Sequence, residues 1–225
     1  MAGADSTATA LRCTLFYIIT NPVVWNKLRV AIDDAADKNL SATFIPATTL
    51  RNVPYLQAVV KEGLRMWPPL TGTRVKVAPP EGWIVGNKFI PGGTEVGQCV
   101  WGLRDDVGSF GPDAALFRPD RWLEADSKQL QRMEDAVSTV FGNGRHRCLG
   151  KKIASLELDK VIAEVSRFSR IYSTLGIMLT TLLTNQLVRA FDMTNVDPTH
   201  PFRTRCNGIH LQSNMNVLAN RRKAR

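Results

Sequence analysis

A mainly α-helical fold carrying a small β-sheet is predicted by three observations. Apolar residues recur at helical spacing through Leu15, Phe16, Ile18 and Ile19, and again through Val24, Leu28, Val30, Ile32 and Ala35. Helix punctuation stands where such patterns start and stop. Asn21-Pro22 offers an N-cap followed by proline at the first helical position, and Trp67-Pro68-Pro69 closes a helix from about Pro54 to Met66. Residues 71–100 then change character, to short β-rich pieces broken by Pro79-Pro80, Gly86-Asn87 and Pro91-Gly92-Gly93.

Taken in order, the first helix is expected to end near Thr20. It has no cap where it begins: Met1 is followed at once by Ala2-Gly3-Ala4-Asp5-Ser6-Thr7, so it reads as a helix entered in its middle, and a truncated chain is expected. The second helix runs from Pro22 to about Asp37, a loop follows, and the third covers 54–66. Strand pieces are expected over 74–78, 83–85, 88–90 and 95–100, joined by tight turns. Residues 104–136, rich in Asp, Pro and Arg, read as an ordered meander. A glycine-rich loop at 142–150 opens a long helix that reaches at least Glu164, and short extended stretches such as 208–212 follow Phe191. There are no internal repeats.

Composition narrows the function classes. The 225 residues allow one large domain or two small ones, and a hydrophobic fraction of 44% is that of a globular chain. The net charge of +9 suits nucleic acid, an anionic membrane or an acidic protein partner, and charge alone does not choose. No recognition-helix, RNA-binding or zinc-finger pattern is present, so no nucleic-acid partner is expected. The Arg221-Arg222-Lys223 run reads as a solvated tail. The four cysteines, at 13, 99, 148 and 206, show no CxxC or Cys/His spacing and read as reduced thiols facing the cytosol. The apolar run at 171–183 is short of the roughly 20 residues that a membrane-crossing helix needs.

The strongest motif is Phe141-Gly142-Asn143-Gly144-Arg145-His146-Arg147-Cys148-Leu149-Gly150. Glycines at 142, 144 and 150 permit a tight loop and a close backbone approach to a flat ligand. Cys148 stands where a helix begins, so nearby amide N–H groups favour its thiolate, and Phe141 is expected to shield the sulfur from water. The run resembles the signature of the cytochromes P450, Phe-x-x-Gly-x-Arg-x-Cys-x-Gly, with His146 where arginine is commonest. The resemblance implies a heme whose iron Cys148 ligates, with Phe141, Gly144 and Gly150 shaping the loop. His146 would hydrogen-bond a propionate, and Arg74, in the strand after the 54–66 helix, is a candidate for the second. Strand-edge solvation is the alternative for Arg74. Thiolate ligation in this family pushes electron density towards O–O cleavage.

Three further motifs follow the family's order. Glu62-Gly63-Leu64-Arg65 sits within Lys61-Glu62-Gly63-Leu64-Arg65-Met66-Trp67-Pro68-Pro69, which is similar to the family's K-helix and its following turn. The i, i+3 spacing puts both charges on one helix face. Phe117-Arg118-Pro119-Asp120-Arg121-Trp122 resembles the meander motif whose arginine completes a structural triad, here Glu62, Arg65 and Arg121. Ala2-Gly3-Ala4-Asp5-Ser6-Thr7 is similar to the oxygen-activation segment of the central I-helix, which implies that Asp5 and Ser6 relay protons. The chain therefore resembles the C-terminal, heme-binding half of a cytochrome P450, a truncated P450 fold from the I-helix to the C-terminus. The flanking text is similar to the pisatin demethylase-like monooxygenases of filamentous fungi.

The function implied is insertion of one atom of dioxygen into a small apolar organic substrate, by hydroxylation or oxidative demethylation. Electrons would come from NADPH through NADPH-cytochrome P450 reductase, with cytochrome b5 as a second donor. Arg145, Arg147, Lys151 and Lys152 form a basic cluster that would face such a partner, or ordinary solvent. The full protein would lie on the cytosolic face of the endoplasmic reticulum membrane, held by an N-terminal anchor this sequence lacks. A non-catalytic fragment or a mis-predicted gene product is the alternative. The family pattern also breaks after Glu164 and resumes at Leu187, so residues 165–186 are expected to be an insertion. Val165-Ser166 can be encoded GTAAGT and Gln186 CAG, which suggests a retained in-frame intron; a genuine apolar insertion touching membrane is the competing reading.

Overall fold

The computed structural model describes residues 2–37, 45–70, 72–144 and 147–167, together with strands at 191–195, 203–206, 210–213 and 217–221. Eight helices lie in order among them: α1 (Ala2–Ile19), α2 (Pro22–Asp37), α3 (Ala47–Arg51), α4 (Pro54–Met66), α5 (Val107–Phe110), α6 (Arg121–Glu124), α7 (Ser127–Ser138) and α8 (Lys151–Arg167). Between α4 and α5 come four short strands, β1 (Arg74–Val77), β2 (Trp83–Val85), β3 (Lys88–Ile90) and β4 (Glu95–Gln98). After α8 come β5 (Phe191–Asn195), β6 (Arg203–Cys206), β7 (His210–Ser213) and β8 (Val217–Arg221). The fold is mainly α with small antiparallel sheets, as the sequence predicts.

Local chemistry sets the boundaries. Asn21 caps α2: its Oδ1 accepts from the Val24 amide at 3.2 Å and its carbonyl accepts from the Trp25 amide at 2.9 Å. Pro54 takes the first position of α4, where a missing N–H costs nothing. The strands pair as β1 with β4 and β2 with β3, in registers Arg74↔Gln98 to Val77↔Glu95 and Trp83↔Ile90 to Val85↔Lys88. Two-residue turns suffice for β2 and β3: Gly86 sits at φ 63°, a left-handed conformation that a side chain disfavours. Beyond α8, β5 pairs with β8 and β6 with β7.

α4 is the centre of the helical layer, with α1, α2 and α8 packed around it. Ile18, Leu28, Ile32, Leu56, Val59, Leu158 and Ile162 are all at most 1% exposed. Full burial of each such side chain contributes on the order of 1.5–3 kcal/mol. No helix among the described residues is long and apolar enough to cross a membrane.

Two differences from the sequence reading stand out, and one further element is longer than its stated minimum. The end of the meander expected over 104–136 is taken up by a 12-residue helix, α7, which runs on to Ser138 and is capped by Asp126, whose side chain accepts from the Gln129 amide at 2.8 Å. Only Met133 and Val137 of α7 are buried, so its apolar signal is thin. The loop between α2 and α4 holds the short helix α3. The first residues of the expected insertion continue α8: Val165 and Ser166 are 2% and 1% exposed, and the Ser166 hydroxyl donates to the Ile162 carbonyl at 2.8 Å. The rest of it, from 168, lies outside the described residues.

Candidate functional site

The cysteine loop is built by backbone. Leaving α7 through a 3-10 turn at Thr139–Phe141, the chain reverses at Gly142 and Gly144, with φ of 76° and 64°. Both angles fall where only glycine is unstrained. The reversal brings the Cys148 amide back to the Phe141 carbonyl at 2.7 Å, and the Arg147 amide to the Gly144 carbonyl at 3.2 Å. Cys148 therefore stands just before α8, whose first amides are free of intrahelical partners and present partial positive charge. Gly150 is close to the sulfur: a Cβ placed there would lie 3.8 Å from Sγ.

Cys148 opens on a cavity of about 680 Å³. The small-residue start of α1 contributes Gly3, Ala4, Ser6, Thr7 and Ala10 to its lining; Leu64, Pro69 and Leu70 come from the end of α4 and the turn after it. Phe141, Gly150 and Ala154 line it beside the sulfur. The volume is within the roughly 300–1,000 Å³ that encloses a drug-sized organic ligand. An exposed thiol, a largely apolar wall and a helix turn without bulky side chains suit a flat organic ring that carries one metal to a single sulfur. In that sense the residues present fit a heme.

The remaining expected site residues divide. Ser6 lines the cavity and its Oγ lies 3.4 Å from the Gly3 carbonyl, whereas Asp5 is exposed and not part of the lining. Gly144 shapes the loop from an exposed position. Arg74 opens β1, its backbone opposite Gln98, and nothing further of it is described. His146 lies outside the described residues.

Glu62, Arg65 and Arg121 meet in the interior, 0%, 0% and 3% exposed. Arg65 grips the carboxylate with two nitrogens, Nε to Oε2 at 2.9 Å and Nη2 to Oε1 at 2.8 Å. Arg121 Nε donates to Oε1 at 3.1 Å. Both guanidinium groups also bond to backbone: Arg65 donates to the carbonyls of Leu103, Arg104 and Leu116, and Arg121 to those of Phe110, Asp113 and Leu116. Each buried donor thus has a partner, the condition under which buried charge is tolerated.

Three members of this network were missed from sequence. The Trp122 indole donates to Glu62 Oε2 and the Arg118 amide to Oε1, each at 2.9 Å. Asp113 accepts from Arg121 Nη1 at 2.8 Å and from Arg118 Nε at 2.6 Å. Burial pushes the Asp113 carboxyl up, but Arg121 and then Arg118 outweigh it and hold it below the usual carboxylate range. Trp122 adjoins the expected Arg121, which was the available signal; nothing local marks Asp113 as a partner of Glu62's cluster.

The chain is similar to known proteins. The family model described as Cytochrome P450 matches residues 1–189. "Cytochrome P450 monooxygenase ABA1" of Pyricularia oryzae is 42% identical over 168 residues, 74% of this chain and 33% of that protein. "Cytochrome P450 monooxygenase aba1" of Botryotinia fuckeliana is 35% identical over 217 residues, 96% of this chain and 38% of that protein. "Pisatin demethylase" of Fusarium vanettenii is 38% identical over 166 residues, 74% of this chain and 31% of that protein. The chain spans about a third of the length of the curated relatives it matches. With a family model covering most of its length and relatives 35–42% identical, the chain belongs to the cytochrome P450 family.

Proposed function

We propose that this chain is the heme-binding portion of a monooxygenase, with Cys148 Sγ as the ligand to heme iron. The observation that carries this is the position of Cys148 on the wall of the 680 Å³ cavity, which it shares with the small-residue start of α1. When bound, a thiolate-ligated heme supplies activation of dioxygen, one atom of which enters an organic substrate while the other leaves as water.

The chain's own residues do the rest. The Phe141–Cys148 backbone bond and the glycines around it fix where the sulfur points. Gly3 and Ala4 leave room on the opposite wall for a small ligand, and the Ser6 hydroxyl offers a proton-carrying group there. Asp5, exposed one residue before, would exchange that proton with solvent. His146 and Arg74 would hold the propionates. The buried Glu62, Arg65 and Arg121 network braces the segments on which the cavity is built. The whole protein would take electrons from NADPH through a reductase that docks on the basic side of the cysteine loop. It would act on a small apolar substrate at the endoplasmic reticulum membrane.

The test is heme titration of the purified chain followed by a reduced, carbon monoxide difference spectrum. The expected result is the red-shifted band of thiolate-ligated heme, lost in Cys148→Ser. A chain that takes up no heme, or a Cys148→Ser protein with an unchanged spectrum, overturns the reading.

A further inference from the structure

Three residues beyond Cys148, α8 opens with a lysine whose side chain is exposed yet anchored. The Lys151 ammonium stands over the Phe141 ring, 5.4 Å from its centroid. Phe141 is the residue whose carbonyl accepts from the Cys148 amide at 2.7 Å, and it lines the same cavity as Cys148. The cysteine loop is thus closed twice. Backbone meets backbone in that hydrogen bond, and a cation meets an aromatic face where α8 begins.

The face of an aromatic ring is the negative part of its quadrupole, so an ammonium within about 6 Å of the centroid is attracted to it. A lysine left to solvent spreads its charge over many rotamers, whereas one resting on a ring keeps the charge in one place beside the loop. Lys152, the next residue, is exposed as well, but a helix step of about 100° turns it in another direction. Charge, hydrogen bonding to the sulfur and exposure are the levers by which a protein sets the potential of a bound metal centre. A fixed positive charge favours the state with one more electron.

We propose that Lys151, held on the Phe141 ring, is a positioning residue that raises the reduction potential of a heme ligated by Cys148. This rests on the heme-thiolate reading, and it gives one member of the basic cluster a task that needs no docked partner.

The test loads the full chain with heme and follows the one-electron reduction of ferric to ferrous heme by optical titration, with dithionite as reductant and mediator dyes. Lys151 is exposed, so replacing it leaves the core untouched. Lys151→Met and Lys151→Gln both remove the charge, and each is expected to shift the potential downwards. Lys151→Arg keeps a cation that can stack on the ring and is expected to hold the unaltered value. Lys152→Met is expected to move the potential less than Lys151→Met does. In a Phe141→Leu background, Lys151→Met is expected to make a smaller shift than in the unaltered chain. A potential unmoved in both neutral variants at 151, or moved equally by Lys152→Met, overturns this assignment alone, provided that each loaded variant keeps the carbon monoxide band of thiolate-ligated heme. An unaltered chain that takes up no heme, or lacks that band, overturns the heme reading and this assignment with it.

Discussion

Thr14 of α1 occupies the space that a side chain on Gly63 of α4 would need: a Cβ at Gly63 would stand 2.1 Å from Thr14 Oγ1 and 2.7 Å from its Cγ2. The two helices approach this closely only because residue 63 has no side chain. That contact ties the helix bearing the small-residue cavity wall to the helix bearing Glu62 and Arg65. Gly63→Ala is expected to destabilise the chain by about 1–3 kcal/mol, the usual range for overpacking a tight core. Adding Thr14→Ala is expected to recover part of the loss. Urea denaturation of the two single variants and the double variant measures the coupling; additive losses would show that the helices adjust independently.

Removing Glu62 strands two buried guanidinium groups. Glu62→Ala is expected to cost about 3–5 kcal/mol, the range for breaking a buried charge cluster on one side. Trp122→Phe removes one donor to the same carboxylate and is expected to cost about 1.5–3 kcal/mol, as for a hydrogen bond to a charged group. Denaturant midpoints check both, and an equal loss in the two variants would contradict the hierarchy.

Two carboxylates give opposite pH signatures. Asp113 is held below its ordinary range, so its contribution is complete above about 3.9, the unperturbed value, and is lost as pH falls through the lower folded value. Asp113→Asn is expected to be less stable than the unaltered chain at neutral pH, with the gap closing in acid. Asp159, 4% exposed with Oδ1 lacking a hydrogen-bond partner, is pushed up by burial, which outweighs Gln57 and Arg51. Burying its charge opposes folding above its raised value. Asp159→Asn is therefore expected to stabilise at neutral pH, with the gain shrinking as pH falls. Thermal melts across an acid-to-neutral series distinguish the two.

The thiols are expected to differ in reactivity. Burial pushes the Cys13 thiol up to about 12, against a smaller opposing pull from Arg12, and it is 1% exposed. Cys99 and Cys148 are exposed. Iodoacetamide at mildly alkaline pH is expected to label the latter two in the folded chain and Cys13 only after denaturation. Prior loading with heme is expected to protect Cys148 and leave Cys99 reactive, as peptide mass mapping would reveal.

Short-range rules were enough for much of this molecule. The Asn21 cap, Pro54 at a helix start, the Gly86 turn and the reversal at Gly142 and Gly144 are all legible from a few neighbouring residues, because each depends on local dihedral preferences and nearby hydrogen bonds. The spacing of the cysteine loop, of Glu62 with Arg65, and of the opening Ala-Gly-Ala-Asp-Ser-Thr run was likewise readable. α7 was not, since most of its residues are polar and only Met133 and Val137 are buried. What the tertiary structure alone decided is which groups meet across long separations. Trp122 reaches Glu62 from 60 residues away, Thr14 nests over Gly63, and Thr7 borders the cavity while Asp5 does not. Packing directions set these contacts: the helices turn their side chains to one another only once the core around α4 has formed, and no window of sequence contains that information.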